Sequence, residues 1–172
     1  MKIELASHSG FCMGVRNAVQ KIVNIINTSG ETIQVYGPLI HNPQTIDILS
    51  RRGLKTIHSL DGISGGNIAI RTHGIPFHEY RKIRKEAARV INLTCPRVAK
   101  VQAIIKKFAS RGYFTVITGD DHHAEVIGLK SYASTGVSVI SSPAEAGALN
   151  LPDKTLLVSQ TTLERETFEQ IT

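Results

Sequence analysis

Apolar positions along this chain follow two periods that alternate. Lys2 to Ala6 reads as a strand, and the loop Ser7 to Phe11 leads to Cys12. Val15, Ala18, Val19, Ile22, Val23 and Ile26 then fall at helical spacing, with Ser29-Gly30 as the stop. Ile33 to Tyr36 is a short β-branched strand, broken by Gly37-Pro38 before a loop that holds His41. Pro43 opens a helix with Ile46, Ile48 and Leu49 on its apolar side, and Gly53 closes it. Leu54 to Ile57 and Asn67 to Arg71 are strands, the second delivering Thr72-His73-Gly74 at its end. Pro76 begins a helix to about Arg89, and Val90 to Asn92 is a strand leading to Cys95. Beyond it Val98, Val101, Ile104, Ile105 and Phe108 mark a helix that Gly112 ends. Tyr113 to Thr118, Val137 to Ile140 and Thr155 to Ser159 are the remaining strands. Their helices start near His123, at the capped-start composition Ser142-Pro143-Ala144-Glu145, and around Leu163, Phe168 and Ile171.

This alternation repeats. Cys12 to His41 is 29 positions and Cys95 to His123 is 28, while Val15, Ala18 and Ile22 match Val98, Val101 and Ile105 at a constant offset of 83. A duplicated α/β unit accounts for the joint match. The chain is therefore expected to be α/β, with two repeated units at 1–93 and 94–172 built on parallel sheets. In such sheets, polar residues from the loops after the strands gather along one edge. Cys12, His41, His73, Cys95, His123, Glu125 and Thr161 all belong to such loops. A single histidine there is ordinarily a surface or hydrogen-bonded core residue, but that explanation would have to be invoked repeatedly, so convergence is the sharper expectation. On the same pattern a third unit, opening with a strand and a third cysteine, is missing after Thr172.

Composition narrows the chemistry. The 172 residues are 41% hydrophobic and 20% charged, ordinary for a globular protein. The N-terminus has no signal-peptide apolar region and no stretch is long enough to span a bilayer, so a cytoplasmic protein without membrane attachment is expected. In a reducing compartment the two cysteines read as thiols or metal ligands rather than a structural disulfide. Two thiolates alone fill neither a tetrahedral zinc site nor the coordination of an iron-sulfur cluster. The net charge of +6 favours acidic partners. With no tryptophan and only five Phe and four Tyr, single-stranded nucleic acid is a poor candidate, and the basic run Arg81, Lys82, Arg84 and Lys85 reads as a solvated helix face.

Gly10-Phe11-Cys12-Met13-Gly14-Val15, His41-Asn42, Thr72-His73-Gly74, Thr94-Cys95-Pro96, His123-Ala124-Glu125-Val126 and Gln160-Thr161-Thr162 together resemble the amino-terminal part of the 4-hydroxy-3-methylbut-2-enyl diphosphate reductases, the LytB-type iron-sulfur family. The resemblance covers essentially the whole chain. It implies a three-domain trefoil around a 4Fe-4S cluster, with Cys12 and Cys95 as two of three cysteine ligands and the third absent here. It also implies that His41, His73, His123 and Thr161 surround an allylic diphosphate and that Glu125 is the proton-delivering acid. The implied reaction removes the allylic hydroxyl to give isopentenyl and dimethylallyl diphosphate in the non-mevalonate isoprenoid pathway. Reductive loss of a hydroxyl needs electrons, protons and a Lewis acid, and carboxyl groups suit proton transfer because a dry, anionic setting tunes their acidity. The implied electron donor is a ferredoxin or flavodoxin, whose acidity suits a basic chain. Ala124 stands where the family usually has proline, and Asp120-Asp121-His122 is an unusual lead into His123.

A truncated reductase, inactive alone, is the leading expectation. The alternatives are a self-associating iron-sulfur protein whose two copies pool four thiolates, and a diphosphate-binding module without reductase activity. His123-Ala124-Glu125 imitates the H-x-E of zinc deaminases, but the P-C-x-x-C that must follow is absent.

Overall fold

Two parallel sheets carry the fold. The computed structural model describes residues 2–172 other than Leu5 and His8. The elements are α1 (Met13–Ser29), β1 (Ile33–Tyr36), α2 (Pro43–Ser50), β2 (Leu54–Ile57), β3 (Asn67–Ile70), α3 (Phe77–Glu86), β4 (Arg89–Asn92), α4 (Pro96–Ala109), β5 (Phe114–Thr118), α5 (Ala124–Lys130), β6 (Val137–Ile140), α6 (Pro143–Gly147), β7 (Thr155–Ser159) and α7 (Arg165–Ile171). The first sheet has the order β2-β1-β3-β4 and the second β6-β5-β7, with every pairing parallel. The second order repeats the first three strands of the first.

Strand alternation sends side chains to two faces of the first sheet. Val35, Ala69 and Ile91 pack with Ala18 and Ile22 of α1 and Leu49 of α2, while Ile68 and Ile70 pack with Ile83 of α3. In the second sheet Ile117 and Val158 pack with Ile105 of α4 and with Val126 and Leu129 of α5. The periodic helices form as their patterns predict because one stripe of each is buried. α1 stops where Gly30 turns left-handed at φ 64° and its N–H donates to the Ile26 carbonyl at 3.0 Å. No helix among the described residues is long and apolar enough to cross a membrane.

Two expectations need correction. Of the strand expected over 2–6, Leu5 lies outside the described residues, and Lys2, Ile3, Glu4 and Ala6 form no strand. The repeat supplies the reason. β4, the strand that precedes Cys95, pairs with the earlier strand β3, and no strand before Lys2–Ala6 among the described residues offers it such an edge; Ile3 is 73% exposed. The helix expected to reach Arg89 ends at Glu86. Ala87 is extended at ψ 142°, and the Ala88 and Arg89 N–H groups both donate to the Gly66 carbonyl, so sheet pairing of Arg89 against Asn67 wins over another helical turn.

One buried hydroxyl has no partner among the described residues, that of Thr115 on β5, whose side chain is fully buried. Thr115→Val replaces it with an apolar group of the same shape and should stabilise the chain by about 1 kcal/mol, raising Tm by about 2–4 °C. Thermal unfolding of the variant checks this, and an unchanged or lower Tm would mean the hydroxyl is satisfied.

Candidate active site

Cys12 and Cys95 occupy the same place in the two units. Each is the N-cap residue of a helix, α1 or α4, and neither side chain makes a capping hydrogen bond, which leaves both thiols free. Their carbonyls accept the Arg16 and Ala99 N–H groups at 2.9 Å each. Gly14 in the first turn of α1 brings the two junctions together: a Cβ built there would stand 2.7 Å from Cys95 Sγ and 3.3 Å from Cys95 Cβ. The missing side chain at Gly14 is what gives the Cys95 thiol its place against α1.

Three imidazoles form a contiguous row at the strand ends. The rings of His41 and His73 are 4.7 Å apart between centroids, and those of His73 and His123 are 5.4 Å apart, edge to face. His41 follows β1, His73 follows β3, and His123 caps α5 after β5. His123 Nδ1 accepts the Glu125 N–H at 3.2 Å, so the proton of the neutral ring belongs on Nε2, which is left to donate elsewhere. Burial, then the His41, His123 and Arg71 charges, lowers the pKa of His73 from 6.5 to about 4.

Below pH 6.5 the unfolded chain takes up a proton on His73 that the folded chain resists down to about pH 4. The associated stability is present above pH 6.5 and is lost as pH falls through that window. NMR of the His73 imidazole should give a midpoint near 4, and His73→Asn should flatten the acid side of the stability profile. A midpoint near 6.5 would contradict both.

Glu125 is 1% exposed at the start of α5. Its carboxylate Oε1 accepts the Thr161 N–H at 2.8 Å and its Oε2 accepts the Thr161 hydroxyl at 2.9 Å. The acid is thus fixed by the loop after β7. A cavity of about 200 Å³ opens beside the row, lined by Phe11, Val15, Ile40, His41, Thr72 and His73 among others. Apolar Phe11, Val15 and Ile40 together with His41, Asn42, Thr72 and His73 suit a small molecule that has both an apolar and a polar part. A second cavity, of about 260 Å³ between α3 and α4, contains none of the cysteines or histidines of the row.

Among the described residues no group of three or more His, Cys, Asp or Glu is placed to hold a metal ion. As a donor set, Cys12 and Cys95 fit two positions of a thiolate-held cluster, and further ligands must come from beyond these residues.

The LytB protein family model matches residues 3–172. The chain belongs to the LytB family. It is 41% identical to the 4-hydroxy-3-methylbut-2-enyl diphosphate reductase of Sulfurimonas denitrificans over 99% of this chain and 61% of that protein. The reductase of Geobacter sulfurreducens is 38% identical over 99% and 60%. Among solved structures, the E-1-hydroxy-2-methyl-but-2-enyl-4-diphosphate reductase from Plasmodium falciparum superposes with a TM-score of 0.87 at 27% identity, over 96% of this chain and 53% of that one. A structure of (E)-4-hydroxy-3-methyl-but-2-enyl diphosphate reductase, described as the terminal enzyme of the non-mevalonate pathway, gives 0.82 at 32% identity. This LytB chain spans about three fifths of the length of the relatives it matches.

Two residues of this LytB chain tie the site together without carrying an evident role in the sequence. Thr72 is buried; its hydroxyl donates to the Leu39 carbonyl at 3.0 Å and its carbonyl accepts the Cys95 N–H at 2.9 Å, joining the loops of His41, His73 and Cys95. Gln160 accepts the Asp120 N–H at 3.1 Å and donates to the Thr162 hydroxyl at 2.7 Å, tying the loop before His123 to the loop of Thr161. Both lie inside the quoted motifs, which was the available signal.

Proposed function

We propose that this chain is the amino-terminal part of a reductase that removes the allylic hydroxyl of 4-hydroxy-3-methylbut-2-enyl diphosphate, yielding isopentenyl and dimethylallyl diphosphate in the cytoplasm. The observation that carries the reading is the row His41-His73-His123 beside the Glu125–Thr161 pair. The site residues and the two-unit division at 93/94 belong to the same reading.

In it the diphosphate lies along the imidazole row. His73 is neutral at pH 7 without ligand, its pKa being near 4, and a dianionic neighbour favours its protonated form, so binding draws in a proton and creates charge-assisted hydrogen bonds. The free Nε2–H of His123 donates to the same anion. Phe11, Val15 and Ile40 exclude water around the hydrocarbon. Glu125, when protonated on Oε2, donates to the Thr161 hydroxyl, which turns from donor to acceptor and gives its own proton onward to the substrate.

Cys12 and Cys95 would hold two positions of a 4Fe-4S cluster, which when bound supplies electrons and a Lewis-acidic iron for the departing hydroxyl. The third cysteine is expected on a further unit. In the first sheet the outer edge of β3 receives β4, the strand that leads to Cys95, whereas the equivalent edge of β7 has no partner among the described residues. A reduced ferredoxin or flavodoxin is the electron donor in this reading.

The test supplies the chain, under anaerobic conditions, with the carboxyl-terminal remainder of a relative, iron, sulfide and a reduced donor, and follows loss of the allylic diphosphate. Turnover is expected only with both parts present. Absence of turnover together with absence of diphosphate binding would remove the proposal.

A further inference from the structure

Arg71 follows β3 and stands two residues before His73. Its carbonyl accepts the Gly74 N–H at 3.0 Å, and its own Nε donates to the Gly74 carbonyl at 3.2 Å. The four-residue turn that presents His73 is thereby closed twice by one residue. Gly74 completes it in the left-handed region at φ 73°. On its other side the turn meets α4, where Gln102 Nε2 lies 2.5 Å from the position of a Cβ at Gly74.

The far end of the Arg71 guanidinium occupies the space that a side chain at Gly37 would fill. Gly37, at φ 70°, opens the segment leading to His41, and its N–H donates to the Ile57 carbonyl at 2.9 Å. One planar group therefore reaches from the His73 turn to the root of the His41 loop. Arg71 belongs to none of the ion pairs among the described residues, so its contacts are to backbone rather than to an acid.

We propose that Arg71 is a positioning residue for the imidazole row: by closing the His73 turn and filling the Gly37 cradle, it holds the His41 and His73 rings in contact. The role is geometric. Lysine carries the same charge but lacks the planar fork that donates to Gly74 while lying against Gly37. A side chain at Gly37 would displace the guanidinium, and one at Gly74 would meet Gln102 of α4 and Thr94.

The test uses Arg71→Lys and Arg71→Ala in the 172-residue chain. Nuclear Overhauser effects between the His41 and His73 imidazole protons, without ligand, read ring contact directly, and inorganic pyrophosphate reads the site. Both variants are expected to lose the inter-ring signal and to bind pyrophosphate roughly tenfold more weakly. Equal loss in the lysine variant separates geometry from charge. If the lysine variant keeps the inter-ring signal, or both variants do, the proposal is overturned. If Arg71→Ala does not fold, Arg71→Lys decides alone. The pyrophosphate arm rests on the proposed function; should the unaltered chain bind none, that reading fails while the ligand-free signal still decides the role of Arg71.

Discussion

Glu125→Gln is expected to lower turnover of the completed protein by about 10²–10⁴-fold, the range associated with a positioned acid, while leaving the chain folded. Glutamine keeps one carbonyl oxygen, which accepts the Thr161 N–H in place of Oε1. Its amide then faces the Thr161 hydroxyl, which rotates from donor to acceptor. The net cost to stability is about 0.5–1.5 kcal/mol. Substrate affinity should change little because the imidazole row is untouched, so the effect falls on kcat rather than KM. Glu125→Ala is the harsher variant. It orphans two donors beside a side chain that is 1% exposed, adding about 1–3 kcal/mol of destabilisation. Thr161→Val removes the hydroxyl but keeps the backbone N–H on the acid, and should fall between wild type and Glu125→Gln. Kinetics of the three variants with matched unfolding curves make the comparison. Turnover within tenfold of wild type for Glu125→Gln would remove the acid role.

Hydrophobic periodicity made much of the fold legible. The helices predicted from Val15, Ala18 and Ile22 and from Val98, Val101 and Ile105 form, and Ala18, Ile22, Val98 and Ile105 are buried. Where it failed, a nonlocal pairing decided the outcome. Periodicity reads one segment at a time, and nothing in Lys2 to Ala6 records that its equivalent, β4, depends on an earlier strand, β3, for its partner. The overrun at Glu86 has the same origin: the Gly66 carbonyl that receives the Ala88 and Arg89 N–H groups lies some twenty positions upstream.

The site was legible as a set of loops but not as a geometry. Strand alternation puts His41, His73 and His123 at one edge, yet ring separations of 4.7 and 5.4 Å depend on how the loops fold back. Neither did the sequence assign those loops their fasteners. Thr72, Gln160 and Arg71 work mainly through backbone carbonyls and N–H groups, which every sequence contains, so only the folded chain reveals which are used. The charge state of His73 also needed the fold, because its low pKa arises from burial and from the neighbouring His41, His123 and Arg71 charges.

Gly14→Ala should have the other large effect, and it falls on the thiols. The added methyl would lie 2.7 Å from Cys95 Sγ, closer than such atoms approach, so either the thiol rotates away or the first turns of α1 and α4 separate. Stability is a poor guide to this change. Alanine is favoured over glycine in a helix by up to about 1 kcal/mol, against about 1–3 kcal/mol for overpacking, and the two partly offset. The thiol has no such compensation. In the unaltered chain Cys95 is half-buried against α1, so displacement should raise its alkylation rate several-fold above its wild-type value, with the already exposed Cys12 as the internal reference. In the completed protein, iron and sulfide incorporated on anaerobic reconstitution should drop by roughly tenfold, as expected when a ligand's support is disturbed. Gly14→Val, with a larger clash and a poorer helix former, should deepen both effects. Wild-type alkylation of Cys95 in Gly14→Ala would mean the thiol has room to spare, and wild-type iron content would mean that contact with α1 does not set its position as a ligand. Gly14 would then serve α1 alone, and the position of Cys95 would rest on the hydrogen bond from its N–H to the Thr72 carbonyl.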